Sequence, residues 1–271
     1  MARLEDEFGD VVRKAREGLG LSLEEAARRA GMNPGRLAAF EAYQEAPSRE
    51  ESDALARLLG LGREALWRMA KDEYRPEVDL DGLDCDIVSF TFEPMGSHGY
   101  LIHLKETGAT LLVDPGGSPG PVLAALRERG WTLAAVLVTH GHSDHVAGLA
   151  GVLEALEVPV YAHPSECRAA GLVPVTGPAE LAVGGARVRV LYTPGHTPHG
   201  LTFVAGGVAA VGDTLFAGSL GRAHRGPEYY DQLLASARLI LSLPDETVLL
   251  PGHGPLTTVG QEKRGNPFVA P

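Results

Sequence analysis

The segment Val136-Leu137-Val138-Thr139-His140-Gly141-His142-Ser143-Asp144-His145 constrains this chain more than any other. Its apolar, β-branched start predicts a buried strand that leads directly into a loop. Between positions 140 and 145 the loop carries three histidines and one aspartate. Imidazole and carboxylate are the donors that zinc and neighbouring first-row metals take at about 2.0–2.2 Å. If the loop stays extended, the side chains at 140 and 142 point the same way. Asp144 and His145 then turn toward a second position.

Three further strand-like runs also end in polar donors. They are Tyr192-Thr193-Pro194-Gly195-His196, Val211-Gly212-Asp213 and Leu250-Pro251-Gly252-His253-Gly254. A glycine beside each lets the backbone crowd a ligand or turn sharply. Adding His196, Asp213 and His253 to the loop gives seven donors, enough for two metals that share one carboxylate. Separate loop residues, each satisfied by local hydrogen bonds, are the competing explanation, and so complete a set argues against it. Asp114, closing Leu111-Leu112-Val113, reads from the residues alone as a turn former before Pro115. Cys85 and Cys167 share no metal-like or redox-like spacing and read as small buried hydrophobes.

The two halves of the chain follow different patterns. Residues 1–75 have helical periodicity, with Phe8, Val11, Val12, Ala15 and Leu19 on one stripe. Ser22 with Glu25 and Ser48 with Glu51 are spaced as capping boxes, and Asn33-Pro34 as a cap with proline in the first turn. Short helices joined by tight turns predict a four- or five-helix bundle. Residues 76–84 form a polar linker. From 85 to 271, short β-like runs such as 87–92, 100–104, 133–139, 208–211 and 247–250 alternate with helices predicted at 122–129, 146–156 and 229–241. That mixture implies a layered α/β architecture. A net charge of −11 and 6% aromatic residues argue against a nucleic-acid-coating surface and against a stacking platform for single strands. No run approaches the ~18 apolar residues of a membrane span, and the start lacks a signal core. A cytoplasmic protein with no membrane partner is expected.

On these residues the chain resembles the metallo-β-lactamase-fold hydrolases. Gly212-Asp213-Thr214-Leu215-Phe216-Ala217-Gly218-Ser219-Leu220-Gly221-Arg222, Pro251-Gly252-His253-Gly254-Pro255-Leu256-Thr257-Thr258 and the ending Glu262-Lys263-Arg264-Gly265-Asn266-Pro267-Phe268 narrow the resemblance to the short glyoxalase II-like branch. It covers residues 85–271. The resemblance implies an αβ/βα sandwich with two divalent metals, zinc first and iron or manganese as alternatives, at one rim. It implies that His140, His142 and His196 hold one metal, that Asp144, His145 and His253 hold the other, that Asp213 bridges them, and that Asp114, otherwise a turn former, orients a ligand from behind. Asp144 and Asp213 are then the catalytic carboxylates, a metal-bridging hydroxide is the nucleophile, and the substrate is a thioester such as an S-acyl glutathione. Larger glyoxalase II enzymes add a C-terminal helical domain that helps bind glutathione; only 17 residues follow Gly254, so none is expected. Two local departures, His199 before Gly200 and Ala223-His224 after Arg222, make His199, Arg222 and His224 candidate substrate contacts. An iron persulfide dioxygenase shares the fold and several ligands and is the alternative.

Leu21 to Gly31, followed by Asn33-Pro34-Gly35-Arg36-Leu37, resembles the Xre/Cro-like helix-turn-helix family over about residues 8–62. That implies a recognition helix starting at Pro34 in the DNA major groove. Residues 1–75 nevertheless carry 13 Lys/Arg against 15 Asp/Glu, and Arg36 is followed by Ala38, Ala39 and Glu41. Phosphate neutralisation and bidentate base contacts both need more than this. DNA is therefore the less favoured partner, and a protein contact, such as a homodimer through the bundle, the more favoured. A regulator whose metal domain senses a ligand stands as the non-enzymatic alternative.

Overall fold

Capping chemistry sets the N-terminal helices in the computed structural model, which describes residues 3–223 and 226–270. They are α1 (Phe8–Gly18), α2 (Leu23–Ala30), α3 (Pro34–Glu41), α4 (Arg49–Leu59) and α5 (Arg63–Ala70). At α4 the capping box is complete: Ser48 Oγ accepts from Glu51 N at 3.2 Å, and Glu51 Oε2 accepts from Ser48 N at 2.7 Å. At α2 only the serine half forms, with Ser22 Oγ accepting from Glu25 N at 3.1 Å while Glu25 turns toward Arg29. Val11, Val12, Ala15, Leu37, Phe40, Leu55 and Leu66 close the bundle interior.

Two six-stranded sheets follow. The first contains β1 (Cys85–Phe92), β2 (Ser97–Leu104), β3 (Thr110–Val113), β4 (Leu133–Leu137), β5 (Val160–Ala162) and β6 (Leu172–Pro174), in that order across the sheet. Between its strands run α6 (Gly120–Arg129), α7 (Ser143–Val146) and α8 (Leu149–Ala155). β1, β2 and β3 pair antiparallel, whereas β3 to β6 pair parallel. The second sheet takes β7 (Ala179–Val183), β8 (Ala186–Tyr192), β9 (Leu201–Ala205) and β10 (Val208–Gly212). A small hairpin of β11 (Leu215–Phe216) and β12 (Ser219–Leu220) and helix α9 (Pro227–Ile240) intervene. Then come β13 (Val248–Pro251), β14 (Thr257–Thr258) and α10 (Val259–Gly265). Here the spatial order is β14-β13-β10-β9-β8-β7, with β10 and β13 parallel.

Inward-facing Leu111, Val113, Leu137, Val188, Phe203, Val208 and Leu250 form the core between the sheets. The outer face of the first sheet packs on α6 and α8 through Leu112, Val136, Val122 and Val152. The outer face of the second, through Leu191, Ala209, Val211 and Leu249, joins α9 and the helical bundle in one continuous apolar cluster. The result is the layered α/β sandwich that the resemblance implies, with the bundle built into its outer layer. Gly18 lies against the Tyr230 ring of α9, and Lys14 Nζ donates to Leu220 O at 2.7 Å.

The helix expected over 146–156 is divided. One turn, α7, begins at Ser143, and α8 resumes at Leu149. The break lies at Gly148, whose N–H donates to Pro115 O at 2.8 Å instead of continuing the helix ladder. The early start places Asp144 and His145 on a helical turn just past His142, with the His145 ring 4.2 Å from that of His140. Strands β6, β7, β11, β12 and β14 and helix α10 are additional to the sequence expectation; β6 has three residues, and β11, β12 and β14 have two each. Cys85 and Cys167 are buried free thiols.

Candidate metal centre

The ends of β4, β8, β10 and β13 open on the same rim of the sandwich, and each delivers a donor. Beyond β4 the chain supplies His140 and His142, α7 supplies Asp144 and His145, and residues just after β8, β10 and β13 supply His196, Asp213 and His253. Donor atoms of His140, His142, His196 and Asp213 lie within 4.8 Å of one another, as do those of Asp144, His145 and His253. Asp213 faces both groups. Its Oδ2 is 3.5 Å from His196 Nε2, and its Oδ1 is 3.3 Å from His145 Nε2. Its Oδ2 is also 3.6 Å from His253 Nε2, while Asp144 Oδ2 is 3.3 Å from that nitrogen.

Hydrogen bonds behind the rings fix which nitrogen of each is available. Arg222 O accepts from His196 Nδ1 at 2.9 Å, so the Nε2 lone pair points toward His142 and Asp213. Thr139 Oγ1 donates to Asp114 Oδ2 at 2.6 Å, which leaves that hydroxyl to accept from His140 Nδ1 at 3.0 Å. Asp114 Oδ2 also lies 3.1 Å from His145 Nδ1. Both Asp114 oxygens are thus engaged, Oδ1 with Thr139 N at 2.8 Å, and the carboxylate orients two imidazoles from behind. The same contacts leave His140 Nε2, His145 Nε2 and Asp213 Oδ1 buried without a hydrogen-bond partner. Polar atoms so placed cost free energy unless something fills the space between them. Gly252 is part of this geometry, because a Cβ there would meet Asp213 Oδ1 at 2.1 Å.

The electrostatics agree. Burial holds the His140 imidazole well below its usual range, in the neutral form that a metal requires. Burial opposes a charge on His145, but the adjacent Asp114 and Asp213 carboxylates override that and push it up to about 10. Asp213 stays far below the usual carboxylate range despite burial, because His145, His140 and His196 surround it. An anionic carboxylate ringed by imidazoles attracts a cation, and a divalent metal would take the place of the proton that His145 holds between Asp114 and Asp213, so the donor set fits one or two divalent metals.

The candidate substrate contacts fare differently. Arg222 contributes its backbone carbonyl to the His196 contact, while its guanidinium reaches Glu17 at 3.5 Å. His199 stacks on His163 with ring centroids 4.0 Å apart, and its Nδ1 lies 2.9 Å from Tyr192 Oη. His224 lies outside the described residues. One residue that sequence reasoning missed is Glu166. Its carboxylate accepts from Gly141 N at 3.1 Å and from His199 N at 3.0 Å, tying the 140–142 loop to the loop that carries His196. Nothing in His163-Pro164-Ser165-Glu166 announces this, because the contact joins segments 25 and 33 residues apart. A cleft of about 490 Å³, lined by Phe92, Pro94, Met95, Ser143 and Asp144, opens beside the donors.

Comparison with known proteins adds the family. A profile described as the metallo-beta-lactamase superfamily matches residues 92–253, and one described as helix-turn-helix matches residues 12–66. The probable metallo-hydrolase YqgX of Bacillus subtilis is 33% identical over 182 residues, 59% of this chain and 86% of that relative. A hydroxyacylglutathione hydrolase of Rhodopseudomonas palustris is 42% identical over 164 residues. That match takes in 57% of this chain but only 61% of the relative's length. Among solved structures, TTHA1623 in a di-iron-bound form superposes with a TM-score of 0.58 at 35% identity. It covers 67% of this chain and 99% of that one.

Proposed function

Since the chain belongs to the metallo-β-lactamase superfamily and is a metallo-hydrolase of that kind, we propose that it hydrolyses thioesters of the S-acyl glutathione type or related thiol esters. In this reading His140, His142 and His196 hold one cation, Asp144, His145 and His253 a second, and Asp213 contacts both. The observation that carries the metal dependence is the set of buried, unpartnered atoms on His140, His145 and Asp213, and the hydroxyacylglutathione hydrolases among the relatives support the thioester class. Two bound divalent cations, zinc first and iron or manganese as alternatives, would supply a nucleophile from water at neutral pH and polarise the acyl carbonyl. The protein's own contribution is to orient. Asp114 and Thr139 hold the His140 and His145 rings, the Arg222 carbonyl holds His196, and the cleft beside Asp144 has room for an acyl chain. Neither cysteine reaches the donor set, so no thiol nucleophile competes with water. Stripping the full chain with a strong chelator is expected to abolish hydrolysis of a hydroxyacyl-glutathione thioester, and a divalent metal to restore it. Undiminished turnover by verified metal-free protein would end the reading.

The helix-turn-helix module we read as a packed accessory in preference to a DNA reader. Arg36, the basic residue of α3, is bound through Nε and Nη2 to Glu51 at 2.8 and 3.0 Å, pairs with Glu45 and lies over the Phe40 ring. Glu41, in the same helix, is buried against Arg16 at 2.6 Å. A reading helix whose guanidinium is already neutralised offers little to phosphates or base edges. The full chain is expected to show no salt-dependent binding to mixed DNA fragments at low ionic strength. Retention with a steep salt slope would restore the regulator reading.

A further inference from the structure

The segment Leu220-Gly221-Arg222 lies between the helical module and the donor set and touches both. On its inner side Gly221 packs against two donor-bearing residues: a Cβ there would meet Asp213 O at 1.8 Å and His196 Nδ1 at 3.0 Å. The Arg222 carbonyl accepts from His196 Nδ1 at 2.9 Å. On the outer side, Leu220 O accepts from Lys14 Nζ of α1 at 2.7 Å. The Arg222 guanidinium reaches Glu17, further along the same helix, at 3.5 Å. Three consecutive residues thus form a strap that carries contacts from α1 to the ring of a proposed metal ligand.

Lys14 is nearly enclosed. Its side chain is 10% exposed, and its ammonium meets the buried Asp6 carboxylate, Leu220 O and the face of Phe216, whose centroid is 5.0 Å away. An enclosed ion pair adds little net stability over apolar side chains of similar volume, because desolvating both charges offsets their attraction. The bundle also has an apolar anchorage of its own, in the cluster that joins Val11 and Ala15 to Tyr230 and Leu233. What the ammonium adds is direction, since a charge-assisted donor on a rigid helix holds one carbonyl of the strap at one place. The turn of the β11–β12 hairpin is held separately, through Gly218 N and Glu262 at 2.9 Å. Lys14 therefore governs the end of the hairpin that runs on to Arg222.

We infer that Lys14 is a positioning residue of the metal centre, setting the His196 ring through the 220–222 strap. The helical module is then a working part of the hydrolase. The inference rests on the proposed role of His196 as a metal ligand and is independent of which ester is cleaved.

The test is cobalt binding by the full-length protein, read from the visible spectrum of the metal in competition with a chelator. His196→Ala serves as the reference that identifies the binding phase belonging to His140, His142 and His196. Lys14→Met keeps the apolar stem but leaves Asp6 unpaired, so it is accompanied by the double variant Asp6→Asn/Lys14→Met, which buries no charge. Groups that touch a ligand typically change metal affinity 10- to 100-fold, and Lys14 acts one contact further back. Both variants are therefore expected to weaken that phase on the order of three- to tenfold and to alter its absorption envelope. A merely structural role would lower the unfolding midpoint of metal-free protein and leave affinity and spectrum unmoved. That result in the double variant, a change of less than twofold, would overturn the assignment. Failure of the double variant to fold would also overturn it, by assigning the pair to anchoring the bundle. If His196→Ala removes no cobalt phase, the inference falls with the ligand assignment. Cobalt binding needs no turnover, so weakened cobalt in a protein that cleaves no thioester retires the hydrolytic reading alone. Thioester cleavage with unmoved cobalt affinity in both variants retires Lys14 alone.

Discussion

Asp213→Ala is expected to lower kcat/KM for thioester hydrolysis by about 10³-fold or more, equivalent to roughly 4 kcal/mol of barrier. It is the carboxylate that faces both donor groups, 3.5 Å from His196 on one side and 3.3 Å from His145 on the other. Removing it would take away the negative charge that the proposed pair of cations needs and leave five imidazoles around an enlarged cavity. Metal content measured alongside activity should fall below two equivalents. Asp114→Asn is the informative contrast. That side chain keeps its shape and its place behind His145 but loses charge from an orienting contact, for which a 10- to 100-fold loss is typical. If Asp213→Ala kept two metals and near-wild-type turnover, the bridging role would be wrong. If the two variants lost equal activity, Asp114 would belong among the ligands.

The donor set was legible in the sequence because metal chemistry restricts which residues can serve and because the donors sit at strand ends, where alternation of apolar residues stops abruptly. His140, His142, Asp144 and His145 announce themselves by density alone. His196, Asp213 and His253 needed their glycine neighbours, and Gly252 shows why: there is no room for a side chain between Asp213 and His145. The core strands could be read from unbroken apolar runs such as Leu111-Leu112-Val113, all buried in the structure. Edge elements were not legible. β6 has three residues, two of them exposed, and carries no period that distinguishes it from a loop. Contacts between distant segments were equally hidden. Glu166 takes its role only once two loops fold together. Helical periodicity identifies an apolar stripe but not what covers it. The shared cluster that fuses α1 and α5 to α9 and the sheet therefore had no local signature.

The same limitation applies to Glu262, whose role in the ending Glu262-Lys263-Arg264-Gly265-Asn266 emerges only in three dimensions. Its carboxylate is fully buried, and burial pushes the group up from the ordinary carboxylate range. Four donors oppose that: the Tyr74 hydroxyl, Thr257 Oγ1 at 2.6 Å, Gly218 N at 2.9 Å and Asn266 Nδ2 at 2.8 Å. Each comes from a different place. Tyr74 belongs to the segment leaving the bundle, Gly218 to the turn between β11 and β12, Thr257 to β14, and Asn266 to the end of α10. Asn266 also donates to Ser219 O at 2.9 Å. One side chain therefore locks the hairpin that follows Asp213 to both the bundle and the C-terminal helix. Glu262→Ala would strand several buried donors at once, and such losses cost about 3–5 kcal/mol. In a protein of this size that corresponds to a fall in Tm of roughly 10 °C. Glu262→Gln keeps the volume and one acceptor oxygen but turns an amide N–H toward existing donors, so an intermediate loss of about 1–3 kcal/mol is expected. Denaturant unfolding of metal-free protein separates this from any effect on metal binding. A cost below about 1 kcal/mol for the alanine variant would mean that water or local rearrangement satisfies those donors, and that the shared apolar cluster alone holds bundle and sandwich together.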